Sequence, residues 1–255
     1  MVKVNIYKTD GKTTDKVDLP DVFSTPYRPD LIRKSFNVIR SNKRQPYGSD
    51  SRAGAKHSTE WSGKGHGVSR VPRIRQDGRS RGALSPGTVG GRRAHPPRPD
   101  RDWSEKMNKK EKKLARNSAY AAISDNTIVQ QRGHKFDEKL TLPVVIEDKF
   151  EKTKKTSDVI EILEKIGVYD DVLRAKNGKH VRAGKGKRRG RRYKTPKSLL
   201  VISDNDNVKN VCRNLPGVDV VSPELVNVEH LAPGGDPGRL TIISKSSLNK
   251  IGGAE

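Results

Sequence analysis

Leu199-Leu200-Val201-Ile202, followed at once by Ser203-Asp204-Asn205-Asp206, is a run of four apolar residues with no polar alternation, stopped by a turn. An uninterrupted apolar strand is expected where both sheet faces are covered, as in the middle of a parallel sheet. The same reading extends outward. Val208 to Leu215 has helical spacing, Val218-Asp219-Val220-Val221 is another strand, and Leu240-Thr241-Ile242-Ile243 a third. Ser244 is placed to cap a last helix through Ile251. Upstream, Val144-Val145-Ile146 is a short apolar strand. Ser157 to Ile166 is a helix with Val159, Ile160, Leu163 and Ile166 inward, ended by Gly167. Strands alternating with helices predict an α/β domain with a parallel sheet. Asp170-Asp171, and Asp204 with Asp206, sit near helix starts or turns, where capping is their expected work.

Toward the N-terminus, residues 2–7 alternate as a half-buried strand, and Lys16 to Leu19 can pair back across the Asp10-Gly11 turn. A helix begins near Pro29-Asp30 and loses its pattern near Lys43; Ile32, Ser35, Phe36 and Ile39 share its inner face. A further helix is expected from Asp102-Trp103-Ser104-Glu105, spaced as a capping box, with Met107, Leu114, Ala121 and Ala122 as its stripe. Its opposite face, Lys109, Lys110, Lys112, Lys113 and Arg116, is open to either solvent or phosphate. Trp103 is expected to pack on the domain.

Two basic stretches interrupt this pattern. Residues 43–98 hold thirteen Lys or Arg against Asp50, Glu60 and Asp77, and their bulky aliphatics are only Val68, Val71, Ile74, Leu84 and Val89. A structureless stretch this long inside a domain is usually functional or disordered. Residues 174–197 hold twelve Lys or Arg and no acid, with Gly178, Gly184, Gly186 and Gly190 supplying flexibility. Both are expected to order on RNA. The reading is therefore one globular α/β domain from residues 1–42 and 99–255, an extended basic loop over 43–98, and a second basic extension over 174–197.

The whole chain of 255 residues carries a net charge of +23 with 31% hydrophobic residues, against roughly 45–50% in ordinary domains. That balance implies a polyanionic partner, nucleic acid first. Cys212 is the single cysteine, so an intramolecular disulfide and a multi-cysteine zinc site are excluded. The polar N-terminus does not read as a signal peptide, and no apolar run approaches a membrane span of about 20 residues. The expectation is a cytoplasmic protein with no membrane partner, no metal and no cofactor.

No motif supports catalysis. Gly63-Lys64-Gly65-His66-Gly67 lacks the strand and helix that a dinucleotide loop needs. Gly178 to Gly186 misses the Walker spacing and has no Ser or Thr after Lys185. The six histidines (His57, His66, His95, His134, His180, His230) fall singly. Trp61 lies where no protein core is available and suits base stacking. An RNA-modifying or nucleotide-using enzyme with basic arms is the rival, but Ser203-Asp204-Asn205-Asp206 after the central strand offers no glycine cradle.

Three segments in order carry a family resemblance: Phe23-Ser24-Thr25-Pro26-Tyr27-Arg28-Pro29-Asp30-Leu31-Ile32-Arg33, then Gly63 to Arg73, then Gly87-Thr88-Val89-Gly90-Gly91-Arg92-Arg93-Ala94-His95-Pro96-Pro97. Together they resemble the "L four" family of large-subunit ribosomal proteins in its archaeal and eukaryotic form. The modest length without a long C-terminal extension is similar to archaeal members. The resemblance implies a three-layer α/β/α domain on the outer face of the large subunit and a loop threading through rRNA to the nascent-peptide exit tunnel. It implies large-subunit rRNA, neighbouring ribosomal proteins and the nascent polypeptide as partners, with no catalytic residue. The rRNA contacts assigned are Arg44, Arg52, Lys56, Trp61, Arg75, Arg79, Arg81, Arg92, Arg93, His95 and Arg98 in the loop. Lys185, Lys187, Arg188, Arg189, Arg191 and Arg192 join them from the second extension. The tunnel tip carried over by position is Gly63, Lys64, Gly65, His66, Gly67, Val68, Arg70 and Arg73. Bacterial members carry Lys-Gly-Thr-Gly-Arg-Ala-Arg here; Lys64, Gly65, Gly67 and Arg70 match it, while His66 and Val68 depart.

Overall fold

Residues that were apolar without alternation form the middle of a six-stranded sheet. The computed structural model describes residues 3–75 and 81–253; Val2 of the first strand pattern and Arg79 of the assigned contacts lie outside them. In chain order the elements are β1 (Lys3–Tyr7), β2 (Thr13–Asp18), α1 (Pro29–Asn42), β3 (Thr59–Glu60), β4 (Arg73–Ile74), α2 (Lys109–Ile123), α3 (Asn126–Gln131) and β5 (Val144–Ile146). There follow α4 (Thr156–Ile166), α5 (Tyr169–Asn177), β6 (His180–Val181), β7 (Tyr193–Lys194), β8 (Leu200–Ile202), α6 (Asp206–Cys212), β9 (Asp219–Val221), α7 (Val228–Leu231), β10 (Thr241–Ser244) and α8 (Lys245–Gly253).

The sheet order is β2-β1-β5-β10-β8-β9. Only β1 and β2 pair antiparallel; every other neighbouring pair in this sheet is parallel. The strand period of two sorts side chains onto opposite faces. Leu199, Val201, Val144, Ile146 and Ile242 go to one apolar cluster, with Val159, Leu163, Val172 and Val208 from α4, α5 and α6. Leu200, Ile202, Val145 and Ile243 go to the other, with residues of α1, α2, α7 and α8. The domain is thus three layers, helix on sheet on helix. Leu200, Val201 and Ile202 are all essentially buried, each such burial stabilising by about 1.5–3 kcal/mol.

Several expectations need correction. The helix expected from Asp102 starts at Lys109. The Asp102 carboxylate instead accepts from the Ser104 N–H at 2.9 Å and the Ser104 hydroxyl at 2.7 Å, so the nearest donors are satisfied two residues on and no capping box forms. The buried face of α2 is Ala115, Ser118, Ala119, Tyr120, Ala122 and Ile123, while Leu114 is 50% exposed. Small residues let this helix approach closely, and Tyr120 sets the phase by meeting Phe23 at 5.4 Å between ring centroids. In α4, Ile162 is buried and Ile160 only half-buried.

The 174–197 extension begins later than its composition suggested. Arg174 belongs to α5, where its Nε donates to Asp171 Oδ1 at 2.8 Å. Asp171 is not a surface cap: it is fully buried and faces His134, with Nδ1 2.9 Å from Oδ2. His134, read as one of six histidines that fall singly, is buried in this pair. Asn205, rather than Asp204 or Asp206, caps α6 through the Asn207 N–H, and Asp204 pairs with Lys250. The short helices α3, α5 and α7 were not anticipated.

Candidate nucleic-acid interface

By its contacts the chain divides into two compact units, Met1–Arg40 with Glu105–Glu255, and Ser41–Ser104. The second unit is built from two arms that run beside each other. The Ser49 N–H donates to Pro97 O at 3.1 Å. A Cβ at Gly54 would come within 2.4 Å of the Arg92 nitrogen, so only glycine permits that approach. Farther out, β3 and β4 pair antiparallel, Thr59 opposite Ile74 and Glu60 opposite Arg73. Arg75 N–H donates to Ser58 O at 3.3 Å and Arg81 reaches Val89 O at 3.3 Å.

Beyond these strands lies the tip. Gly63, Gly65 and Gly67 have φ of 71°, 85° and 67°, and a Cβ on any of them would meet nothing within 4 Å. Their left-handed backbone is therefore required by the course of the chain and not by packing. Lys64, His66, Val68 and Arg70 are exposed there, and Arg73 is half-buried at the strand end, with its guanidinium 3.4 Å from Ser69 O. Trp61 is 72% exposed, an aromatic surface left open to solvent.

The assigned contact residues present their charges outward. Arg52, Lys56, Arg75, Arg81, Arg92, Arg93, His95 and Arg98 are all exposed. Lys56 pairs with Asp50 at 2.7 Å and Arg75 with Glu60 at 2.6 Å. Exposed pairs of this kind contribute little to stability, so a phosphate can displace the carboxylate.

The second basic stretch is a defined hairpin. Strands β6 and β7 pair His180 with Lys194 and Val181 with Tyr193. A single 3-10 turn, Lys185–Arg189, closes it between Gly184 and Gly190, both with positive φ. Lys185, Lys187, Arg188, Arg189, Arg191 and Arg192 all lie exposed on it. Lys179 sits over the Tyr193 ring at 4.9 Å.

Around Trp103 the sequence reading missed an arrangement. Trp103 stacks on Tyr47, with centroids 5.6 Å apart and planes 19° from parallel. The guanidiniums of Arg44 and Arg101 lie 3.9 and 4.4 Å from its ring. Tyr47 and Arg101 were not singled out, although the logic applied to Trp61, an aromatic in a basic stretch without a core, applied equally to Tyr47.

Groups suited to chemistry are engaged structurally. Burial pushes the Cys212 thiol up to about 12, which removes it as a nucleophile. Among the described residues no three His, Cys, Asp or Glu gather as a metal site, and no helix is long and apolar enough to cross a membrane.

Comparison with known proteins decides the family. A model of the ribosomal protein L4/L1 family matches residues 17–254. The chain belongs to that family. It is 47% identical over 252 residues to the large ribosomal subunit protein uL4 of Archaeoglobus fulgidus, covering 98% of each chain. It is 46% identical over 251 residues to that of Methanocaldococcus jannaschii, again covering 98% of each. The Haloquadratum walsbyi protein of the same description is 43% identical over 250 residues. As a member of a ribosomal protein family the chain is a structural component and not an enzyme, so the RNA-modifying alternative falls.

Proposed function

We propose that this protein takes its place in the large ribosomal subunit, in the cytoplasm, binds the large-subunit rRNA, aids its assembly, and lines part of the peptide exit tunnel with the tip of its 43–98 loop. The tip carries the reading: three glycines of positive φ at alternate positions hold an exposed basic chain, and a Cβ added at any of the three would meet no protein atom within 4 Å. A backbone so shaped, without a protein neighbour, suits a wall built of RNA. The arms and the 179–194 hairpin supply cations that neutralise phosphates and release counterions. Neighbouring ribosomal proteins and the nascent polypeptide are the remaining partners, and peptide-bond chemistry is left to RNA. The relatives named as large ribosomal subunit proteins support this placement over nearly the full chain.

A photo-crosslinker at position 64 or 66, in assembled large subunits translating a stalled chain, tests the tip. Adducts to both rRNA and nascent polypeptide are expected. Adducts to other ribosomal proteins alone would overturn the tunnel placement.

A further inference from the structure

The stack around Trp103 adjoins an open cleft of about 360 Å³, lined by Tyr47, Pro96, Pro97, Arg98, Asp100, Arg101 and Trp103. Its walls are flat: the Tyr47 and Trp103 rings are nearly parallel, and two proline rings face the same space. Tyr47 remains 50% exposed, so the stack ends in an open aromatic surface. Arg44, Arg98 and Arg101 surround it with positive charge, and Asp100 is the one carboxylate of the lining. Nucleobases unstacked from RNA dock on aromatic faces and on guanidinium planes.

We propose that this cleft takes one unpaired nucleobase of RNA, prolonging the Trp103–Tyr47 stack, with Arg44 beside both rings and Arg98 or Arg101 on its phosphate. Asp100 is the specificity-determining residue. A carboxylate only accepts hydrogen bonds, so it favours a base that offers an exocyclic amine: guanine, whose N1–H and N2 amine face it together, adenine or cytosine. It disfavours uracil, whose single imide N–H is flanked by carbonyl oxygens. This rests on the rRNA-binding reading and adds to it a site for one base, where the arms otherwise need only phosphates.

The full chain carrying Trp61→Phe keeps Trp103 as its sole tryptophan. Its fluorescence is followed while adding, at fixed salt, hexamers of oligoadenylate, oligocytidylate or oligouridylate, an A-form duplex of equal length, or inorganic polyphosphate. Expected are quenching by the adenylate and cytidylate hexamers, several-fold weaker response to uridylate, and little response to duplex or polyphosphate. Tyr47→Ala should weaken the single-strand affinity by about tenfold, the scale of one base–aromatic stack, and Tyr47→Phe should restore it. Asp100→Asn should bring uridylate level with the others.

Equal quenching by duplex or polyphosphate, or an unchanged affinity in Tyr47→Ala, overturns the base site. Equal response to all three hexamers by the parent chain overturns the role of Asp100. Filter binding of whole large-subunit rRNA separates the two levels. If only the base site is wrong, rRNA is still retained with its steep salt dependence. If the rRNA reading is wrong, the parent chain fails to retain it.

Discussion

Arg239 is the largest fully buried side chain among the described residues. Its Nε donates to Ser198 O at 2.8 Å, and its terminal nitrogens donate to His230 O, Leu199 O and Gly217 O at 3.0–3.1 Å. Asp219 balances the charge at 2.7 Å. Burial pulls the Asp219 carboxyl upward, but Arg239 and Lys197 outweigh it and hold the group below the usual carboxylate range. One guanidinium thereby ties the segment entering β8 to β9 and to α7. Arg239→Leu removes the donor from four carbonyls at once, leaving Leu199 O and Gly217 O only the N–H groups of Asp219 and Ser198, and it leaves Asp219 only Lys197. It should destabilise the protein by about 3–5 kcal/mol, read as a lower urea midpoint with the slope unchanged.

A pH effect also belongs to single residues. Burial lowers the His134 pKa more than its hydrogen bond to Asp171 raises it. Neutral His134 therefore donates from Nδ1 to the carboxylate. For Asp171 burial pushes upward, yet hydrogen bonds from His134 and Arg174 win and hold its pKa down. A histidine whose folded pKa lies below about 6.5 stabilises fully above that pH and loses its contribution as pH falls. Asp171 loses its own contribution in the same direction, below about pH 4. Urea midpoints should be level from pH 8 to 7 and decline below about 6.5. His134→Gln should flatten the first part of that decline.

At the scale of elements, α2 shows why hydropathy alone misplaced a face. Its buried stripe is mostly alanine and serine, and its one leucine, Leu114, faces outward. The neighbouring packing, Tyr120 against Phe23, selects the face. The hairpin β6–β7 shows the reverse: a basic, glycine-rich stretch that reads as flexible has a defined register. No residue from Lys179 to Lys194 belongs to either apolar cluster. Replacing residues 179–194 with a short glycine–serine link should therefore leave the unfolding free energy, read from urea titration, within about 0.5 kcal/mol of the parent. The slope of log affinity for rRNA against log salt should become shallower by several units, since each phosphate contact contributes about 0.7–0.9. An unchanged slope would remove the hairpin from the interface.

At the scale of the whole molecule, apolar burial is concentrated in one unit. Both large clusters lie within Met1–Arg40 and Glu105–Glu255; Ser41–Ser104 contributes no residue to either. Free chain should yield a protease-resistant α/β core with early cleavage inside 43–98, and large-subunit rRNA should protect those sites. Early cleavage confined to the N-terminal strand pair, with 43–98 intact, would count against it.

The parallel sheet was legible in Leu199 to Ile202 and its neighbours because a strand covered on both faces needs apolar residues throughout. The α1 boundary was legible because proline starts a helix and loss of periodicity ends it. The basic arms were legible from charge, which needs no fold to be counted. Sequence could not show that His134 and Asp171, 37 positions apart, are one buried pair, nor that Arg239 reaches across two strands. It also could not show that Tyr47 and Trp103 stack into one surface. Local pattern reports which way a side chain faces within its own element. Which distant group it meets depends on how the elements pack, and that is decided only in the tertiary structure.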